Sequence, residues 1–201
     1  MRQTEALAKL NRLEHPIFQT QDVSALLNIS SSYASHLLSR LEKDGLVFRI
    51  KKGLWSLEGK VSNFDLACYI TFPAPAYVSL QSALNHHGII EQIPGHTYCI
   101  ALTTSKQVIT TKAVFSVHRV DPKFFFGFEP YGQNQAMIAT PEKALVDFYY
   151  LSATRSNQFK SLPELHLEEN FEISQAHDLV TKIPSKRIKT IVKRKLSQLN
   201  I

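Results

Sequence analysis

Hydroxyl, imidazole and guanidinium side chains recur along one side of the segment 31–44. At 100° per residue, the helical spacing, the opposite side is apolar and carries Ala34, Leu37, Leu38 and Leu41. The polar side and its borders carry Ser32, Ser35, His36, Ser39 and Arg40. Such side chains form hydrogen bonds with base edges when a helix enters the major groove of DNA. We therefore expect these five residues to read bases, against the alternative of a polar helix face that meets only solvent.

Cationic side chains follow the same helix and the short hairpin after it. They are Lys43, Arg49, Lys51 and Lys52. Lysine and arginine at such positions neutralise backbone phosphates, which gives affinity without sequence information. The sequence therefore predicts a phosphate-binding set beside the base-reading set.

The surrounding elements have the order of a winged helix-turn-helix. Thr20 is a good N-cap for a short helix, the turn 28–30 follows, and Gly45 ends the second helix. Two β-rich runs then flank the Lys51-Lys52-Gly53 turn. This order makes double-stranded DNA the first candidate partner. A winged helix that packs on another protein is the rival interpretation, and gel shifts with upstream DNA would distinguish the two.

Composition indicates an ordinary globular protein. The chain has 201 residues, of which 44% are hydrophobic and 20% charged, so a packed core is expected. Cys68 and Cys99 are too few for a disulfide framework, which favours a cytoplasmic protein. The polar N-terminal helix does not resemble a signal peptide, and no run is long and apolar enough for a membrane span.

Charge is unevenly distributed along the chain. The net charge is +6, and residues 1–57 contribute +3 with eight basic and five acidic residues. Residues 58–183 carry nine basic and twelve acidic residues, a net of −3. The last predicted helix, 185–199, has an apolar stripe and six cations, Lys186, Arg187, Lys189, Lys193, Arg194 and Lys195. It is interpreted as a second phosphate contact or as a solvated face, and both remain open.

The predicted fold class is α+β with two domains. Residues 1–60 form the winged helix-turn-helix, and residues 61–201 form a mixed helix and strand domain that ends in the basic amphipathic helix. In this domain the patterns predict helices over 64–72, 79–87, 140–151, 174–183 and 185–199. Strands are predicted over 98–103, 106–109 and 114–120, with edge strands at 124–126 and 136–138.

Other groups of reactive side chains favour structural roles. Adjacent His86 and His87 would point about 100° apart on a helix, and no metal-ligand spacing occurs, so no metal or cofactor is expected. Lys143 and Asp147 have the spacing of an ion pair on a helix surface, and no catalytic residues are expected. The aromatic run 124–128 is predicted to be buried, with stacking on single-stranded bases as the alternative. An enzyme acting on nucleic acid remains a rival class.

Two stretches in the second domain resemble the AbiEi antitoxin family. They are residues 77–90 (YVSLQSALNHHGII) and 138–147 (IATPEKALVD). The resemblance covers nearly the whole chain and implies an N-terminal winged helix joined to an antitoxin domain. It also implies binding to operator DNA with repression of its own operon, and neutralisation of a nucleotidyltransferase-type toxin without a stable complex. A stand-alone regulator without a toxin is the alternative.

Overall fold

The computed structural model describes residues 3–13, 15–57, 61–132, 136–154, 159, 162–167 and 171–199. Its N-terminal part consists of three helices and three short strands. In chain order they are α1 (Gln3–Leu10), β1 (Ile17–Gln19), α2 (Thr20–Leu27), α3 (Ser31–Lys43), β2 (Phe48–Lys51) and β3 (Leu54–Ser56). The strands form an antiparallel sheet in the order β1-β3-β2. We call the β2–β3 hairpin the wing.

Local capping sets the angle between α2 and α3. Gln19, not the predicted Thr20, precedes α2, and its backbone N–H donates to the Asp22 carboxylate at 2.6 Å. Asn28 then takes a left-handed conformation (φ 52°) and ends α2. The Ser30 hydroxyl accepts the backbone N–H of Tyr33 and begins α3. The turn between the two helices therefore follows from short-range hydrogen bonds.

The second part, which we call the body, is a six-stranded mixed sheet with helices. Its elements are α4 (Asn63–Thr71), β4 (Ala76–Val78), α5 (Leu80–His86), β5 (Thr97–Ala101), β6 (Lys106–Ile109), β7 (Val114–Arg119), β8 (Phe128–Tyr131), β9 (Ala136–Ala139), α6 (Pro141–Ser152), α7 (Ile173–Thr181) and α8 (Lys186–Leu196). The strand order is β6-β7-β5-β4-β9-β8. The pairs β4–β9 and β5–β7 are parallel, and the others are antiparallel. The predicted α+β class is confirmed.

One strand prediction in the body, the edge strand at 124–126, was wrong, and two strands were missed. The segment Pro122–Phe124 forms a 3-10 turn instead of an edge strand, because the Asp121 side chain caps it by accepting the Lys123 N–H. The strands β4 and β8 were not predicted. Each is only three or four residues long, so neither is long enough for a clear alternating pattern.

The winged helix packs closely on the body. Ile17, Ile50 and Leu54 belong to the same buried core as the central strands of the body. At the free edge of β2, the Thr111 N–H donates to the Ile50 carbonyl at 3.0 Å, and its hydroxyl donates to the Arg49 carbonyl at 2.8 Å. The wing is therefore supported on one side by the turn between β6 and β7. The predicted domain boundary falls within 58–60, outside the described residues.

None of the helices in the described part of the chain has the length and apolar character that a membrane span requires.

Candidate nucleic-acid interface

The polar side of α3 faces away from the core. Ala34, Leu37, Leu38 and Leu41 are fully buried, in one core cluster with residues of α1, α2 and Trp55. Of the five predicted base-reading residues, Ser39 is half-buried and four are exposed, namely Ser32, Ser35, His36 and Arg40. Lys43 is exposed in the last turn. Burial of the apolar stripe therefore fixes which side of α3 is presented to a partner.

A cleft of about 460 Å³ lies between α3, the start of α2 and the wing. It brings together four predicted residues, Ser35 and Ser39 from α3 and Arg49 and Lys52 from the wing. Gln21 and Ser31 also line it, and sequence reasoning did not select them. The sequence gives little reason to select either residue, because polar residues are common in the first turn of any surface helix.

Arg49 connects the wing to α3. Its Nη2 donates to the Ser39 hydroxyl at 3.0 Å and lies 2.8 Å from a Glu42 carboxylate oxygen. Its guanidinium also lies 4.6 Å from the centre of the Trp55 ring. Sequence reasoning missed Glu42, which neutralises a cation that was predicted to meet phosphate. In this arrangement Arg49 holds Ser39 in place relative to the wing.

The two lysines at the tip of the wing point in different directions. The Lys51 amine lies 3.5 Å from the Ile70 carbonyl in α4, and burial, with the nearby Lys106, lowers its pKa. Lys52 is exposed and lines the cleft. The tip is anchored because the Gly53 carbonyl accepts the Thr20 N–H at 3.0 Å. Lys52 is therefore better placed than Lys51 to meet a phosphate.

The six cations of the C-terminal helix fall into two sets. Arg187, Lys189 and Lys195 donate to the Ala153 carbonyl, the Thr181 carbonyl and the Ser152 hydroxyl, respectively. These contacts attach α8 to the ends of α6 and α7. The other three are exposed, Lys186, Lys193 and Arg194. Arg187 is exposed as well, so the two sets differ in these hydrogen bonds and not in exposure alone.

The interpretation of Lys143 and Asp147 as a pair on a helix surface was wrong. The two side chains are fully buried, and Nζ lies 2.5 Å from the carboxylate. Asp147 also accepts hydrogen bonds from the Tyr77 and Ser79 hydroxyls at 3.0 and 2.8 Å. Desolvation raises the pKa of Asp147 and lowers that of Lys143, and the ion pair opposes both shifts. The spacing of four residues correctly predicted an ion pair. It could not show that other parts of the chain bury this side of α6.

The remaining candidates are structural. Among the described residues, no three His, Cys, Asp or Glu side chains are grouped to hold a metal ion. His87 Nε2 lies 2.8 Å from the Ala139 carbonyl. Phe124 is buried and stacks on Tyr150, with ring centres 4.8 Å apart. The expected burial of the aromatic run is confirmed for this residue, and Phe125, Phe126 and Phe128 pack against the same core.

Comparison with known families agrees with the geometry of the N-terminal part. A family described as "Transcriptional regulator, AbiEi antitoxin" matches residues 5–57, which span from α1 to the end of the wing. The chain is similar to this family over residues 5–57, about a quarter of its length. No curated protein matches the chain. The matched segment contains the nine residues of α3 and the wing that the sequence predicts to contact DNA, and the body lies outside the match.

Proposed function

We propose that the protein binds operator DNA and represses transcription of its own operon. The observation that carries this proposal is the cleft, where the polar side of α3 meets the cationic tip of the wing. The match of this segment to a family of transcriptional regulators supports it. No catalytic step and no cofactor are part of the proposal.

In the proposed mechanism, α3 enters the major groove and the wing lies along the sugar-phosphate backbone. Ser32, Ser35, His36 and Arg40 reach base edges, and Ser39 acts from a position set by Arg49. Lys43 and Lys52 neutralise phosphates on either side, and Lys51 adds to the local positive potential. Release of counterions from DNA then drives affinity, while the α3 side chains provide sequence preference.

We further propose that the body counteracts a nucleotidyltransferase-type toxin in the cytoplasm, without a stable complex. The support is the resemblance of residues 77–90 and 138–147 to AbiEi antitoxins. These stretches meet in the fold, because Tyr77 and Ser79 donate to Asp147 at the centre of the body. The two stretches that resemble AbiEi antitoxins therefore include residues that hold β4 and α6 together. This is expected if the resemblance reflects a domain with the same fold.

The DNA-binding proposal is tested with the upstream region of the gene. Fluorescence anisotropy over a series of salt concentrations should show sequence-preferring binding that weakens as salt rises. The variant Ser35→Ala/His36→Ala should lose preference for the operator over unrelated DNA by about tenfold, because single hydrogen bonds from serine and histidine contribute less than the roughly 1–3 kcal/mol of a bidentate pair. Absence of salt-dependent binding would favour the rival, a protein-interaction module.

The antitoxin proposal is tested with the neighbouring reading frames. A nucleotidyltransferase encoded there should arrest growth when expressed alone and should be tolerated when this chain is co-expressed. Neighbours that are harmless alone, or that stay toxic with this chain present, would remove the antitoxin role. A stand-alone regulator would then remain, provided that operator binding is observed.

A further inference from the structure

A groove of about 500 Å³ lies where the winged helix meets the body. The end of α1 and strand β1 form one side, and α4 of the body forms the other. Its lining includes Arg12, Leu13, Phe18, Cys68, Tyr69 and Phe72. Both parts of the chain are needed to form this groove, and it contains none of the residues assigned to DNA.

One wall of the groove is aromatic and open to solvent. Phe72, at the C-terminal end of α4, is 66% exposed, and Tyr69 lies one turn earlier on the same helix. Phe18, which also lines the groove, is almost fully buried, and Leu13 is half-buried. A flat apolar group placed against this wall would remove the Phe72 ring from water and stack on it.

The polar lining of the groove is mixed: Arg12 provides a guanidinium, His15 an imidazole, Asp22 a carboxylate and Tyr69 a phenol. Arg12 is exposed, and no hydrogen bond or ion pair joins its guanidinium to any residue that the structure describes. The acid in the lining, Asp22, already accepts the Gln19 N–H at 2.6 Å. Burial and nearby negative groups raise the pKa of Tyr69 to about 12, so its hydroxyl keeps its proton and can donate. The groove therefore offers a guanidinium and a phenol beside an aromatic wall.

We propose that this groove is a binding site for a small planar aromatic carboxylate. The carboxylate pairs with the Arg12 guanidinium, whose two parallel N–H donors match its geometry. The ring lies against Phe72 and Tyr69. A volume of about 500 Å³ is within the range of pockets that hold small molecules.

Occupancy of this groove would be coupled to the placement of the winged helix on the body. The ligand contacts the strand that leads into α2 and, across the groove, the C-terminal end of α4. By linkage, any change that it causes in DNA affinity is matched by an equal effect of DNA on ligand affinity. This coupling rests on the proposed DNA binding, whereas the site itself does not.

The site is tested in the full chain without DNA, with Cys68 as the reporter. Cys68 lines the groove and is half-buried, whereas Cys99 is fully buried, so the thiol reagent DTNB should label Cys68 in the folded protein. The probe is 2-naphthoate, and 2-naphthamide is its neutral counterpart. Saturating naphthoate should slow labelling at least fivefold, and the amide should need about tenfold higher concentration for the same effect. Cys68→Ser should abolish labelling.

Variants test whether Arg12 binds the carboxylate of the ligand. Arg12→Gln should weaken protection by naphthoate about tenfold without changing protection by the amide. Arg119→Gln, an exposed arginine away from the groove, should leave both unchanged. Absence of protection at 10 mM naphthoate, equal protection by acid and amide, or indifference to Arg12→Gln would each overturn the proposal. Melting temperatures of the free variants show that the fold is retained, and none of these results depends on DNA binding.

Discussion

Glu42 on α3 lies 2.8 Å from the Arg49 guanidinium on the wing. The carboxylate neutralises a cation at the edge of the cleft, and it would also repel an approaching phosphate. The pair is more than one-third exposed, so its own contribution to stability is small. Its importance for the proposed DNA binding lies in the charge that the cleft presents.

Removal of the Glu42 charge should strengthen DNA binding. Glu42→Gln leaves Arg49 available to phosphate, so we expect affinity to rise several-fold at low salt. The slope of log K against log salt should become steeper by about one. Anisotropy titrations over a series of KCl concentrations measure both. Glu5→Gln, in the exposed pair with Lys9 on α1, is the matched control and should change neither. An unchanged slope in Glu42→Gln would show that Arg49 does not reach phosphate.

The two lysines of the wing should differ in their effect on binding. Lys52→Ala should weaken binding to specific and unrelated DNA alike and reduce the salt slope by about one, because Lys52 points into the cleft. Lys51→Ala should change the slope by less, because its amine is turned toward the Ile70 carbonyl. The same anisotropy series tests both variants. Equal losses for the two would contradict the orientations described for the wing.

The exposed cations of α8 give a separate test of a second phosphate contact. Lys193→Ala/Arg194→Ala removes two exposed cations and leaves the hydrogen bond from Lys195 to Ser152 in place. If α8 meets DNA, the salt slope should fall by up to about two. Lys123→Ala, on the exposed 3-10 turn, is the control. A salt slope identical to that of the unmodified protein would show that these two cations of α8 do not contact phosphate.

Breaking the buried ion pair should be strongly destabilising. Lys143→Met leaves the Asp147 carboxylate buried with only two hydroxyl donors, and roughly 3–5 kcal/mol of unfolding free energy should be lost. The double variant Lys143→Met/Asp147→Leu should recover much of this, because no unpaired charge remains. Urea unfolding monitored by circular dichroism measures both. A double variant no more stable than the single one would contradict the explanation.

Stability should fall in acid because of His118. Burial lowers the pKa of His118 to about 4, and its Nε2 lies 2.8 Å from the Ser116 hydroxyl. The unfolded chain takes up a proton near pH 6.5 and the folded chain does not, so stability is lost as pH falls from about 6.5 to 4. The loss at pH 4.5 should be about 2–3 kcal/mol greater than in His118→Gln. Equal pH profiles of unfolding free energy for the two proteins would refute this assignment.

Local patterns in the sequence were enough to identify the winged helix. These patterns are the 3.6-residue period of α3, the polar turn before it and the glycines after it. Each involves only residues that are close in the sequence, so it can be recognised without the structure. The same is true of α6, where Thr140 caps the helix and Pro141 occupies its first position, as expected. The ends of some helices differ from the predicted ends by a few residues. Several neighbouring side chains can cap a helix, and the sequence does not show which of them forms the hydrogen bond.

Contacts between distant residues appeared only in the tertiary structure. Lys143 and Asp147 have the spacing of a surface pair, yet Phe124 and Tyr77 cover them and turn them into a buried network. Arg49 was predicted to meet phosphate, and its pairing with Glu42 depends on how the wing folds against α3. The sequence alone determined which side chains this protein can offer to DNA. Packing of the body and the wing decided which of them are exposed, because burial and pairing depend on residues far apart in the chain.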